Sequence, residues 1–303
     1  PGSLYAFGAQ VENAMEISNE GLELELQADI LRESAVSWRM KFNMARNWNR
    51  FEKSYSGKDV VDGDGTLLVV GRPLNGLYVW AHRGYYNSDA EVPRLYKIDG
   101  QEIYFNGVAT NGISGAVGDY RLLDLDGDGN PDSYYAGSPL PLAHGGWVNE
   151  LMWKNFDLNV LVNFTIGRKM INNRMGLGFS RQSEDGHLTK LFDYRKLRPW
   201  DGVNKKPNAP AWGNSLSMNT DSAIEKVHHL ALKQITLGYN LPDRISKKAG
   251  LSGVRFFLTA ENLFYLSNYS GGNPEVVNIY TGRDNGDTYP LPRKYTLGLT
   301  LNF

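Results

Sequence analysis

Along Lys294–Phe303 the apolar residues Tyr295, Leu297, Leu299, Leu301 and Phe303 alternate with Thr296, Gly298, Thr300 and Asn302. A period of two places each set on its own side of a β-strand. Further stretches carry the same pattern. Leu22, Leu24, Leu26, Ala28 and Ile30 alternate with Glu23, Glu25, Gln27 and Asp29. Val36, Trp38, Met40, Phe42 and Met44 alternate with Ser37, Arg39, Lys41 and Asn43. Trp147, Leu151 and Trp153 share a parity that Asn149 interrupts, and Phe156, Leu158, Val160, Val162, Phe164 and Ile166 share another. Val254, Phe256, Leu258 and Ala260 form one more set. In HLALKQITLGYN the parity changes between Leu230, Leu232 and Ile235, Leu237, Tyr239, which predicts a bulge near Lys233–Gln234. Strands are therefore expected near 21–32, 35–46, 145–154, 156–166, 229–240, 252–262 and 292–303.

The connections alternate in length. Tight turns join the first strand to the second and the third to the fourth, and a short link containing Pro242 joins the fifth to the sixth. Between them lie long stretches, 47–144, 167–228 and 263–291. A barrel threaded through a membrane has brief turns on one side and extended loops on the other. The expected strand lengths, about 9–11 residues, suit a tilted membrane strand. The apolar parities lack Asp, Glu, Lys and Arg in their central portions, whereas Glu23, Glu25 and Asp29 face Arg39 and Lys41 across a hairpin. Charges on that side suit a wet lumen, and each would cost roughly 2–4 kcal/mol at mid-bilayer if it met lipid. Trp153, Phe156, Tyr239 and Phe303 at one end, and Trp48, Trp147 and Phe164 at the other, fit interfacial girdles. The same rings also fit the core of a soluble sandwich.

Composition narrows this a little. Lys and Arg number 32 against 33 Asp and Glu, so there is no general attraction to nucleic acid. No apolar run is long enough for a transmembrane helix, and PGSLYAFGAQ lacks the basic head and apolar centre of a signal peptide. Cysteine is absent, which removes disulfides and thiolate metal sites.

Several blocks together resemble the SusC/RagA family of TonB-dependent outer-membrane transporters. They are NEGLELEL (19–26), GRPLNGLYVWAHRGYY (71–86), LDLDGDGNPD (123–132), WKNFDLNVLVNFTIG (153–167), LALKQITLGYNLP (230–242), VRFFLTAENLFYLSNYSGGNPE (254–275) and YPLPRKYTLGLTLNF (289–303). The resemblance implies an all-β chain, the C-terminal segment of a large transmembrane barrel, with about seven antiparallel strands and long extracellular loops. It also implies the outer membrane of a Gram-negative bacterium and import of oligosaccharides or peptides with a SusD-like surface lipoprotein. A family barrel has about 22 strands, so the remaining strands, the plug domain and the contact with TonB are expected from outside this stretch. Phe303 resembles the terminal assembly signal of such barrels. Glu23, Glu25, Arg39, Lys41 and Arg255 are then expected to line the lumen, with the opposite parity against lipid. A soluble or surface-attached glycan-binding module is the alternative.

Asp124, Asp126, Asp128, Asn130 and Asp132 stand at alternate positions, with Gly129 where a calcium loop of the EF-hand type turns sharply. Tyr135 occupies the position of the usual final Glu, so water or another side chain would complete the shell. A structural calcium ion is expected here, the alternative being a solvated acidic turn. Tyr78, Trp80, Tyr85 and Tyr86 in the first long stretch, and Tyr194, Trp200 and Trp212 in the second, offer rings that can stack on a sugar or grip a peptide. Packing within the loops' own small cores, or at an interface with the surface lipoprotein, is the alternative. The five histidines show no metal spacing, and there is neither a nucleophile elbow nor a metalloprotease motif. No enzymatic activity is expected. Asp243–Leu251 is expected to form a short helical turn.

Overall fold

The computed structural model describes residues 13, 15–32, 35–61, 67–92, 94–96, 102–104, 117–127, 132–173, 198–203, 206–211, 220–286 and 288–303. Seven long strands dominate: β1 (Met15–Leu31), β2 (Val36–Ser54), β3 (Ala143–Trp153), β4 (Phe156–Asn172), β5 (Ile224–Asn240), β6 (Gly253–Ser267) and β7 (Lys294–Asn302). Each pairs antiparallel with its chain neighbour, so the sheet is an up-and-down meander without crossovers. An eighth, two-residue strand, Arg283–Asp284, lies parallel to the end of β4. Among the described residues no helix is long and apolar enough to cross a membrane. The helical turn expected in 243–251 is present as a helix over Asp243–Ser246 followed by a 3-10 turn over Lys247–Ala249.

Register joins the apolar parities into one continuous face. One row runs Phe42, Trp147, Val162, and the next but one runs Leu151, Leu158, Leu237, Leu258, Leu297. This face is uncovered among the described residues: Leu22 is 68% exposed and Leu297 81%. Asn149, the exception within it, accepts a hydrogen bond from Trp38 Nε1 at 3.2 Å, so its amide oxygen is not left bare. At the short-turn end Trp153, Phe156 and Tyr239 form a chain of rings, with centroids 6.2 and 4.7 Å apart.

The expected bulge is present. Lys233 is skipped between Gln234 and Leu232 in the pairing of β5 with both neighbours, which returns Leu230 and Leu232 to the apolar face. A second bulge lies beside it, where β6 skips Asn262 and Leu263. A third falls at Ile166–Gly167, where Gly167 adopts φ +73°, a conformation that side chains with a Cβ rarely take. Beyond it Met170 and Ile171 are fully buried.

The strands are longer than the sequence led us to expect, and at one end only. β1 begins at Met15, β2 continues to Ser54, β4 to Asn172 and β6 to Ser267, while β5 begins at Ile224. All this extra length lies toward the long connections, so the sheet projects past the apolar band. There the buried core gathers. Leu77, Val79, Ala136, Ile171 and Ala223 form one cluster, and Met170, Val227, Tyr269 and Val277 another. The first long stretch also holds small paired strands, among them Leu77–Trp80 with Ser133–Gly137 and His82–Tyr85 with Tyr120–Leu122.

Candidate functional site

The polar face opposite the apolar one carries the expected residues. Arg39 Nε meets Asp29 Oδ1 at 2.6 Å, and Arg32 Nη2 holds the other oxygen at 2.5 Å. Lys41 differs from expectation. It lies opposite Gln27 on β1, and its Nζ reaches across to Glu150 of β3 at 2.8 Å rather than to Glu23 or Glu25. Arg255 Nη2 bonds Asp157 Oδ2 at 2.5 Å although a whole strand, β5, lies between them. Gly238 lets the pair pass: a Cβ there would sit 2.4–2.5 Å from the Asp157 oxygens and Arg255 Nη2. Lys294 Nζ stands 3.5 Å from Glu261. Thr236 and Thr259 hydroxyls share a hydrogen bond of 2.9 Å. Glu23 and Glu25, on the edge strand β1, have no ion pair among the described residues.

The segment around Glu275 folds back against this wall. Glu275 Oε2 accepts from Lys233 Nζ at 3.2 Å, and Glu275 Oε1 lies 3.7 Å from His229 Nε2. The His229 imidazole, with Lys233 beside it, holds the Glu275 carboxyl below the usual carboxylate range. Arg168, buried at the end of β4, donates to the carbonyls of Pro274, Val277 and Asn278 at 2.7–3.1 Å. These attachments, with a 3-10 turn over Pro274–Val276 capped by Asn273, hold 273–278 in place. Sequence reading missed Arg168, Glu150, Asp157 and Glu275 as site residues: Asp157 and Glu275 lie within blocks quoted above, but no spacing links any of the four to its partner. They become visible only once the register is known.

Three of the five expected metal ligands come together. Carboxylate oxygens of Asp124, Asp126 and Asp132 lie within 4.8 Å of one another. Asp132 Oδ2 accepts from the amides of Leu125 at 2.5 Å and Asp126 at 3.1 Å, and Asp124 Oδ1 from Gly127 at 2.6 Å. Asp128 and Asn130 lie outside the described residues, as do Tyr194 and Trp212 among the expected ligand-contacting rings.

The loop aromatics that are described pack mostly on protein. Tyr78 is half-buried with its ring 5.7 Å from Tyr135, over which Arg72 sits, and burial pushes its hydroxyl pKa up to about 12. Trp80 is half-buried and bridges to Thr220. Trp200 covers Gly118 and donates from Nε1 to Asn87 Oδ1 at 3.2 Å. Tyr86 is 3% exposed, its hydroxyl beside Arg121, Asp119 and the backbone of Leu122 rather than open to a ligand. Burial also raises the hydroxyl pKa values of Tyr85 and Tyr120, whose rings stack at 5.3 Å. Phe303 follows β7 almost fully exposed, its carbonyl accepting from Ser252 Oγ at 3.3 Å.

A meander of long strands, apolar and uncovered on one side and charged on the other, defines the wall of a large β-barrel. Comparison with known proteins makes this more specific. No family model matches the chain. It is similar over 97% of its length to TonB-dependent receptor P3 of Formosa agariphila, at 25% identity over 319 residues. It is likewise similar to TonB-dependent receptor P26 of the same organism (27% over 322 residues, 98% of the chain). TonB-dependent receptor SusC of Bacteroides thetaiotaomicron matches at 26% over 311 residues, again 98% of the chain. The chain spans about 30% of the length of these relatives. A solved structure of the RagAB peptide transporter matches the whole chain with a TM-score of 0.71 at 22% identity, over 31% of the solved chain, and so shares its fold. The RagAB peptide importer in its closed-closed state gives 0.70 at 21% identity, again over the whole chain and 31% of the solved one. The likeness to SusC/RagA-type TonB-dependent receptors is thus shown over essentially the whole chain. These relatives are receptors and transporters, not enzymes.

Proposed function

We propose that this chain forms part of the wall and outer vestibule of an outer-membrane TonB-dependent importer of oligosaccharides or peptides. The observation that carries the reading is the two-sided sheet. Seven strands bring the alternating apolar sets together on one uncovered face and the ion pairs to the other, where Val148, Leu161 and Phe257 are apolar exceptions. In water so large an apolar face would be covered by a second layer, whereas hydrocarbon leaves it bare at no cost. The strand extensions and the loop cores then stand outside the bilayer, where a SusD-like surface lipoprotein would meet them. The plug and the TonB contact would come from the rest of the protein. Calcium at Asp124, Asp126 and Asp132, with Asp128 and Asn130 as further ligands, would stiffen the first long loop. The test is uptake of labelled peptides and oligosaccharides by cells with and without the whole receptor. Loss of uptake on deletion and on collapse of the proton gradient is expected. Uptake indifferent to both, or a protein that stays monodisperse without detergent, would contradict the proposal and favour the soluble glycan-binding module.

A further inference from the structure

Between β6 and β7 the chain leaves the meander and crosses back over it. Asn268 still pairs with β5, its backbone amide donating to the His228 carbonyl and its Nδ2 to that of Lys226. From there 269–284 runs over β5 and β4 on the polar side. Arg168, which it covers, is the register partner of Val227, and Val227 shares the parity of His229. Glu275 rests on Lys233 and His229 of β5, and the carbonyls of Pro274, Val277 and Asn278 rest on Arg168 of β4. On the edge of β4 away from β5, the amides of Ile171 and Asn173 donate to the carbonyls of Gly282 and Asp284 at 2.8 and 2.9 Å. The two ends of the segment are tied together, since the Tyr269 hydroxyl donates to Asp284 Oδ2 at 2.8 Å. The result is a closed strap, compact in the manner of an Ω-loop.

Two observations make this strap a fixed part rather than a lid. Met170, Val227, Tyr269 and Val277 pack between it and the strands, all of them buried. Lifting it would bare that cluster and take three acceptors from a guanidinium that is 4% exposed. The first long loop clamps the strap from the other direction. Asn75 Nδ2 donates to the Tyr280 carbonyl at 3.0 Å. Gly282, at φ +63°, lies so close that a Cβ there would come within 2.7 Å of Pro139. Segments that open easily have few buried apolar contacts, and this one is held along its length.

We propose that 269–284 is a fixed rim of the import path. It stays on the wall throughout transport, substrate passes beside it, and the part that gates the mouth lies elsewhere. This rests on the polar face being a lumen. The test pins the strap in the whole receptor. Lys233→Cys and Glu275→Cys, in a chain without cysteines of its own, are joined by a short reducible bis-thiosulfonate. Cells with the pinned receptor should take up the labelled peptides and oligosaccharides within about twofold of the same cells after reductant. A drop of roughly tenfold or more that reductant reverses would overturn the proposal. A second readout leaves the strap's attachments intact. Spin labels at the exposed positions Leu237 and Tyr280 of the whole receptor in detergent should give a single distance population. A second population holding about a tenth or more of the molecules would overturn the proposal too. If parent cells import nothing, the import reading fails, and the spin-label distances still decide the strap. They also decide it if the double variant imports nothing after reductant.

Discussion

Replacing Val160 by arginine puts a guanidinium on the apolar face near half its height. From Phe156 to Ile166 the apolar parity of β4 covers ten residue steps. At about 3.3 Å per step and a tilt of roughly 40°, that is about 25 Å of height, the thickness of a barrel's apolar band. Val160 lies four steps from Phe156, about 10 Å up, close to the midplane. Its row includes Ile235 and Ala260, with Asn149, already bonded to Trp38, as its one polar member, so no carboxylate on that face can receive the new charge. The expected penalty is roughly 2–4 kcal/mol, a shift of about thirtyfold to several hundredfold in the folding equilibrium. Asn159→Arg, one residue away, points to the polar face beside Glu150 and Thr236 and should change stability by no more than about 0.5 kcal/mol. Urea unfolding of both variants of the whole receptor in lipid vesicles measures the difference. Equal penalties, or a larger one for Asn159→Arg, would refute the assignment of faces.

Other expectations follow from the loops. Arg168→Leu removes donors from three carbonyls of 274–278 and should raise the rate of protease cleavage in that segment at least tenfold, read by mass spectrometry of timed digests. Because the folded-state pKa of Glu275 is depressed, its contribution is fully present above the ordinary carboxylate value and lost as pH falls through the lowered one. Hydrogen-exchange protection of 273–278 should therefore hold at neutral pH and decline in acid, and Glu275→Gln should flatten that decline. Calcium should slow cleavage of the loop around Asp124–Asp132 in the parent and not in Asp126→Asn, and a calorimetric titration without heat would remove the ion from the proposal.

Within the apolar band the sequence was readable because each strand has one dry and one wet side, and a period of two survives in the residues. The Lys233 bulge was legible for the same reason, since one extra residue switches the parity of β5. The neighbouring bulge was not. Two skipped residues, Asn262 and Leu263, leave Phe264 and Leu266 on the parity of Leu258, so the pattern shows no break. The strand extensions were hidden because their surroundings change. Met170 and Ile171 are adjacent and both fully buried, packed into different clusters, which erases alternation. Of the candidate sites, the acidic loop was visible because its ligands are close in sequence. The pairs Lys41–Glu150 and Arg255–Asp157 join residues about a hundred positions apart and depend on register, the latter also on the missing side chain of Gly238.

The solvent of the apolar face is the quantity on which the rest turns, and it can be measured directly. Spin labels placed one at a time along Val254–Ala260 in the whole receptor, reconstituted in lipid vesicles, report collisions with oxygen, which concentrates in hydrocarbon, and with a polar nickel chelate, which stays in water. Oxygen should dominate at 254, 256, 258 and 260 and the chelate at 255, 257 and 259. A chelate-dominated signal at both parities, or protection from both reagents at the even positions, would mean that water or protein covers this face rather than lipid.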